Sequence, residues 1–98
     1  MSSKGRYANI VIIRCEKGSA DAYMNSESTK EHMKQTTLSK GCIFTELKKQ
    51  HDRECYWYEE FDTKENCDTM MNSQQTGEHI KWCNDNEFYF TALQAVKN

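Results

Sequence analysis

Apolar and polar positions along the chain divide it into seven segments. Tyr7 to Cys15, YANIVIIRC, is a nearly continuous apolar run with four adjacent β-branched residues, Ile10 to Ile13. An unbroken run of this kind is a strand covered on both faces, and so a central one. Glu16–Lys17–Gly18 breaks it, and Ser19 then caps a helix from Ala20 with Asp21 in its first turn. That helix runs to about Leu38. Its stripe of Ala20, Tyr23 and Met24 is interrupted by Asn25 to Lys30, and Ser28 with Glu31 forms a second capping box. The segment therefore reads as one bent helix or two pieces.

Gly41 to Phe61 is the stretch around which the rest is arranged. Cys42 to Lys48 alternates, with Ile43, Thr45 and Leu47 on one side and Cys42, Phe44 and Glu46 on the other. Cys55 to Phe61 is dense in aromatics, as a half-buried strand should be. The charged Lys48 to Glu54 joins the two as a solvated hairpin connection. Asp62 or Thr63 caps the next helix, whose buried face is Cys67, Met70 and Met71. Thr76 starts a further short helix, Gly77 to Asn84, with Ile80 and Cys83 inward and His79 or Trp82 to one side. Phe88 to Val96 closes the chain as a strand. The order β-α-β-β-α-α-β, in a single domain over residues 1–98, predicts a ferredoxin-like α+β sandwich: a four-stranded antiparallel sheet with helices on one face. The opposite face needs cover, which asks for a second subunit.

Composition sharpens that expectation. Apolar residues make up 37% of the 98, low for a domain this small, so the core is expected to be completed by a twin chain in a homodimer. The formal charge of −2, with both signs interspersed, lacks the basic stripe of a nucleic-acid binder. No apolar run is long enough to span a membrane, and MSSKGRY lacks the apolar core of a signal peptide. The cysteines, Cys15, Cys42, Cys55, Cys67 and Cys83, are odd in number and far apart. They read as buried thiols in a cytoplasmic protein rather than as metal ligands or disulfides.

With the order of elements in place, the chain resembles the antibiotic biosynthesis monooxygenase domain family of the dimeric α/β barrels over about residues 8 to 96. The likeness rests on EKGSADAY after the first strand, GCIFTEL at the second, and YEEFDTKENCDTMMNS from the third strand into its helix. It implies a sandwich whose sheet packs against that of a twin, and it brings in small cofactor-free oxygenases and heme-degrading relatives. The heme-degrading pattern is not met. Val11 stands where its strand Asn belongs, Met70 where its helical Trp belongs, and His79 is displaced by one residue from its His.

The activity implied is therefore cofactor-independent oxygenation of a small electron-rich aromatic, quinol- or anthrone-like, with no cofactor and no metal. This suits a chain lacking GxGxxG, P-loop and clustered metal ligands. A non-catalytic dimer of the same fold that binds a small ligand or a protein is the competing reading. His79 is the candidate base, expected to lean inward between sheet and helices, where burial would keep the imidazole neutral. Trp57, Tyr56 and Tyr58 are candidates to line an aromatic cavity, with Trp82 beside them and Asn9 orienting a substrate oxygen. His32, among Lys30, Glu31 and Lys34, reads as solvated, and His51 as exposed in the hairpin. Glu59 and Glu60, adjacent on a strand, face opposite ways and cannot act as a carboxylate pair.

Overall fold

The computed structural model describes residues 6–97, with side chains to Gln94. Most of the leading stretch read for a signal peptide lies outside those residues. The elements run β1 (Arg6–Cys15), α1 (Ala20–Asn25), α2 (Glu27–Thr37), β2 (Cys42–His51), β3 (Glu54–Phe61), α3 (Lys64–Met71), α4 (Gln74–Asp85) and β4 (Phe88–Lys97). The four strands form one antiparallel sheet in the order β2-β3-β1-β4. This is the expected α+β ferredoxin-like sandwich, with the β-branched run of β1 at its centre.

Strand parity decides which residues meet the helices. Tyr7, Asn9, Val11, Ile13 and Cys15 of β1 are all buried, as are Cys55, Trp57, Glu59 and Phe61 of β3. Val11, Ile13, Trp57 and Phe88 pack with Ala20, Tyr23 and Cys83 from the helices in the main core cluster. A smaller cluster joins Tyr7 and Phe61 to Cys67 and Met70 of α3. Burying a side chain of this size contributes about 1.5–3 kcal/mol each, so the helices are held chiefly by this face. The other face carries Ile10, Ile12, Tyr56 and Tyr58, half-buried, and Phe44, Tyr89 and Leu93, exposed.

Several boundaries differ from the sequence reading. The first helical segment is two pieces, but the break is at Ser26 and not at Ser28. Ser26 ends α1 and caps α2, its Oγ accepting from Thr29 N and donating to the Tyr23 carbonyl. β2 runs on through the charged Lys48–His51, leaving only Asp52–Arg53 as the turn, because cross-strand pairing outweighs polarity. α4 begins about a turn earlier than Gly77, capped by Ser73 rather than Thr76, and that shift frees Thr76 to face the core. Gly41, in the turn before β2, has φ +81, the left-handed region that a residue without Cβ enters freely.

Candidate functional site

α4 is amphipathic, and the centre of its buried stripe is Thr76, His79 and Cys83, with Ile80 half-buried beside it. His79 thus sits in the middle of the stripe and not at its border, and it is 5% exposed. Its Nε2 lies 2.8 Å from the Tyr23 hydroxyl and its Nδ1 2.9 Å from Ser28 Oγ. Trp57 Nε1 donates to the same Tyr23 hydroxyl at 2.8 Å. An indole N–H only donates, so Tyr23 Oη accepts from Trp57 and passes its own hydrogen to His79 Nε2. The imidazole is then the Nδ1–H tautomer, donating to Ser28.

His32 belongs to this group, against the expectation that it is solvated. It is 6% exposed, because α2 packs on α4 and turns it inward. Its ring stacks on that of His79, and its edge meets Trp57. Its Nδ1–H donates to Gln75 Oε1 at 3.0 Å. Burial, with His32 alongside, lowers the His79 pKa to about 3, and burial lowers that of His32 against the opposing Gln75 hydrogen bond. Both imidazoles are neutral. Yet the lone pair of His79 is engaged by Tyr23, and a base whose conjugate acid has so low a pKa abstracts protons weakly. His79 has the burial expected of it without the free basic nitrogen.

A second polar pair lies across β1 and β3. Asn9, 0% exposed, donates from Nδ2 to Glu59 Oε1 at 2.9 Å, and Glu59 is 1% exposed. Burial raises the Glu59 pKa, partly offset by the Asn9 hydrogen bond. Both groups share the parity of Trp57 and face the helices. A cavity of about 30 Å³ lies between sheet and helices, walled by Trp57, Glu59, His32, His79 and Tyr23 among others. That is room for a water molecule. The wall residues with appreciable exposure are Met71, Ile80 and Phe90.

Of the residues singled out in the sequence, the fold brings Asn9, Trp57 and His79 to one side. Trp82, half-buried, stacks on His79 with ring centroids 5.7 Å apart. Tyr58 and Tyr56 alternate to the opposite face, so they do not line this cavity; Tyr58 donates there to Glu60. His51 is exposed as expected, and Glu59 and Glu60 do face opposite ways, though both are buried. Tyr23, His32 and Glu59 are the residues that sequence reasoning left out of the site. For Glu59 a signal existed in its even spacing from Trp57 on β3.

Cys15, Cys55, Cys67 and Cys83 are buried free thiols, as expected, whereas Cys42, at the start of the edge strand β2, is a free thiol only half-buried. Burial raises the pKa of the four buried ones, to about 12 for Cys55, Cys67 and Cys83, which removes them as nucleophiles. Among the described residues, no cluster of His, Cys, Asp and Glu is arranged to hold a metal ion, and no helix is long and apolar enough to cross a membrane.

No family model matches the chain, and no curated protein does. Solved structures do. A protein from Nitrosomonas europaea, described as a candidate antibiotic biosynthesis monooxygenase, superposes with a TM-score of 0.82 at 12% identity, covering 98% of this chain and 93% of that one. SnoaB from Streptomyces nogalater, a cofactor-independent oxygenase, gives a TM-score of 0.79 at 5% identity, covering 96% of this chain and 94% of that one. A conserved protein of unknown function from Bacteroides thetaiotaomicron gives 0.78 at 10% identity, covering 96% and 99%. At such identities the likeness is one of fold: this chain has the ferredoxin-like α+β fold of proteins named as antibiotic biosynthesis monooxygenases.

Proposed function

We propose that the chain is a cofactor-independent oxygenase of a small electron-rich aromatic, quinol- or anthrone-like, working as a homodimer in the cytoplasm. The observation that carries the reading is the polar cluster between sheet and helices, where Trp57, Tyr23, His79 and the Asn9–Glu59 pair are all buried. A shared fold with SnoaB, an oxygenase that needs no cofactor, supports it.

The chemistry asks little of the protein. An electron-rich ring that loses a proton becomes reducing enough to pass an electron to dioxygen. When an anthrone-like CH₂ becomes C=O, one oxygen atom enters the product, and the other leaves as water with the two departing hydrogens. The site must exclude water, take the first proton and stabilise the anion. Trp57 supplies a flat apolar wall. The Trp57–Tyr23–His79–Ser28 chain fixes that wall and holds the imidazole neutral, so His79 positions groups in this scheme and is not the base. The cavity is small as it stands, and a ring would enter by displacement of Met71, Ile80 and Phe90, its more exposed wall residues.

The dimer reading rests on the bare sheet face, where Phe44 is 46%, Tyr89 41% and Leu93 54% exposed on the side away from the helices. Two such faces packed together would cover these apolar side chains, as in a dimeric α/β barrel.

The test is conversion of a panel of quinols and anthrones in air and under argon, after treatment with a metal chelator. Conversion that needs oxygen and survives chelation supports the proposal. The competing reading, a dimer that only binds a ligand or a protein, draws on the occupied lone pair of His79 and the small size of the cavity. Binding of panel members with none converted would favour it.

A further inference from the structure

Among the described residues, the buried side-chain polar atom left without a hydrogen-bond partner is on the Asn9 amide. Its Nδ2 donates to Glu59 Oε1 at 2.9 Å and lies 3.3 Å from Met71 Sδ, so both hydrogens are directed. Its Oδ1 is buried and accepts from nothing. Native interiors rarely leave a carbonyl in that state unless a water or ligand completes it. Beside it, Glu59 has Asn9 as its hydrogen-bond donor, although a carboxylate has room for several. The pair is rich in acceptors and short of donors. Glu59 and Met71, the hydrogen-bond partners of Asn9 Nδ2, both line the cavity.

The geometry points to Asn9 and Glu59 as the subsite for an acidic hydroxyl of the substrate, with Glu59 taking its proton; the ligand class is a hydroxyaromatic. This rests on the oxygenase reading above and narrows its substrate. A phenolic O–H supplies one of the donors the pair lacks, and Glu59 is the acceptor that can also take its proton. The O–H bond breaks, its proton passes to a Glu59 oxygen, and the electron pair stays on the phenolate, which reduces dioxygen. An ether or ketone offers acceptors to acceptors and is rejected. An anion meets the carboxylate and is rejected more strongly. Val11, Ile13, Trp57 and Phe90 form an apolar part of the cavity wall, against which a ring would lie once the wall residues move aside.

Burial supports the assignment of the proton acceptor. It raises the affinity of Glu59 for a proton, whereas it lowers that of His79, whose Nε2 is already occupied. Glu59 is the stronger base of the two and has no competing donor on its remaining lone pairs.

The experiment is calorimetric titration of the purified full chain with three probes of one shape: 1-naphthol, 1-methoxynaphthalene and 1-naphthylamine. Expected is at least a tenfold preference of the wild-type protein for naphthol over its methyl ether, which has no donor, and over the amine, whose N–H is a far weaker acid and hydrogen-bond donor. In Glu59→Gln, which keeps the size and the Asn9 contact, that preference should fall to within about threefold, with ring binding itself retained. The wild-type comparison needs no variant and so stands even if Glu59→Gln fails to fold. Equal affinity for naphthol and ether, a preference for the amine, or no binding of any probe overturns the subsite, as does an unchanged preference in Glu59→Gln. Oxygen consumption plays no part in this readout, so failure of the subsite and failure of the oxygenase reading are separable.

Discussion

The rings of His32 and His79 stack with centroids 4.4 Å apart and planes 8° from parallel, both buried and both neutral. Two imidazoles this close cannot both take a proton without placing like charges side by side in the core. Their folded-state pKa values lie below the ordinary 6.5, that of His79 at about 3, so acid is taken up first by the unfolded chain. The stability they contribute is present above 6.5 and is lost as pH falls toward 3. The slope is up to roughly 1.4 kcal/mol per pH unit for each histidine. Around the pair, Tyr23 and Cys83 are held protonated, Gln75 and Ser28 do not titrate, and Glu59 is the titrating neighbour on the same cavity. Its raised pKa acts in the opposite sense, adding stability as pH falls through its folded value. Two histidines against one carboxyl should leave a net loss. The urea midpoint is expected to drop between about pH 7 and 5, and His79→Gln should flatten that dependence. A wild-type midpoint constant over the range would contradict it.

Tyr23→Phe tests the buried relay. Losing one hydroxyl leaves the Trp57 N–H without an acceptor and His79 Nε2 with only the weak Cys83 thiol donor, 3.6 Å away. Stranding buried polar groups costs about 1–3 kcal/mol each, against little loss of packing volume. Chemical denaturation should show a destabilisation of roughly 2–4 kcal/mol by that reasoning. A change within 0.5 kcal/mol, the ordinary scatter of about this size for surface substitutions, would mean that the three side chains are not coupled.

The dimer is tested on the bare face. Phe44→Lys together with Leu93→Glu puts charge where two sheets are proposed to meet, at positions already exposed in the subunit. Sedimentation should give twice the chain mass for the wild type and the single mass for the variant, with unchanged far-ultraviolet dichroism. A wild-type monomer at micromolar concentration would rule out the barrel arrangement.

Gly41→Ala addresses the turn before β2. At φ +81 an added Cβ is strained, and it would run into Asp62 and Asn66, which are hydrogen-bonded to each other there. A loss of about 1–3 kcal/mol is expected. A thermal midpoint equal to the wild type would show that the turn relaxes.

How much of this was legible in the sequence follows from what each feature depends on. The order of elements was readable because strand alternation and caps such as Ser19 and Thr63 are local signals. Helix starts slipped where two serines or threonines competed, as Ser26 did with Ser28 and Ser73 with Thr76, since the winner is set by packing of the following turn. His79 is legible as a candidate because it adjoins the apolar Ile80 and Cys83 in sequence, although the structure puts it at the centre of the buried stripe and not at its edge. His32 was missed because its sequence neighbours are charged, and only the approach of α4 makes its side of α2 an inside. Glu59 was passed over because a carboxylate on an aromatic strand is judged by charge, while parity with Trp57 had already placed it inward. Tyr58 was included for its ring, and the same parity sends it to the other face.

The central claim, a cofactor-free oxygenase site in which Glu59 accepts the substrate's proton, is tested most directly by oxygen uptake. Chelator-treated wild-type protein and Glu59→Gln would be compared on a panel of hydroxylated anthrones and quinols. The account predicts uptake above buffer for the wild type and a fall of about a hundredfold or more in Glu59→Gln, the usual scale for losing a general base. His79→Gln should retain more activity than Glu59→Gln. No uptake above buffer across the panel, or a Glu59→Gln rate equal to the wild type, would contradict it.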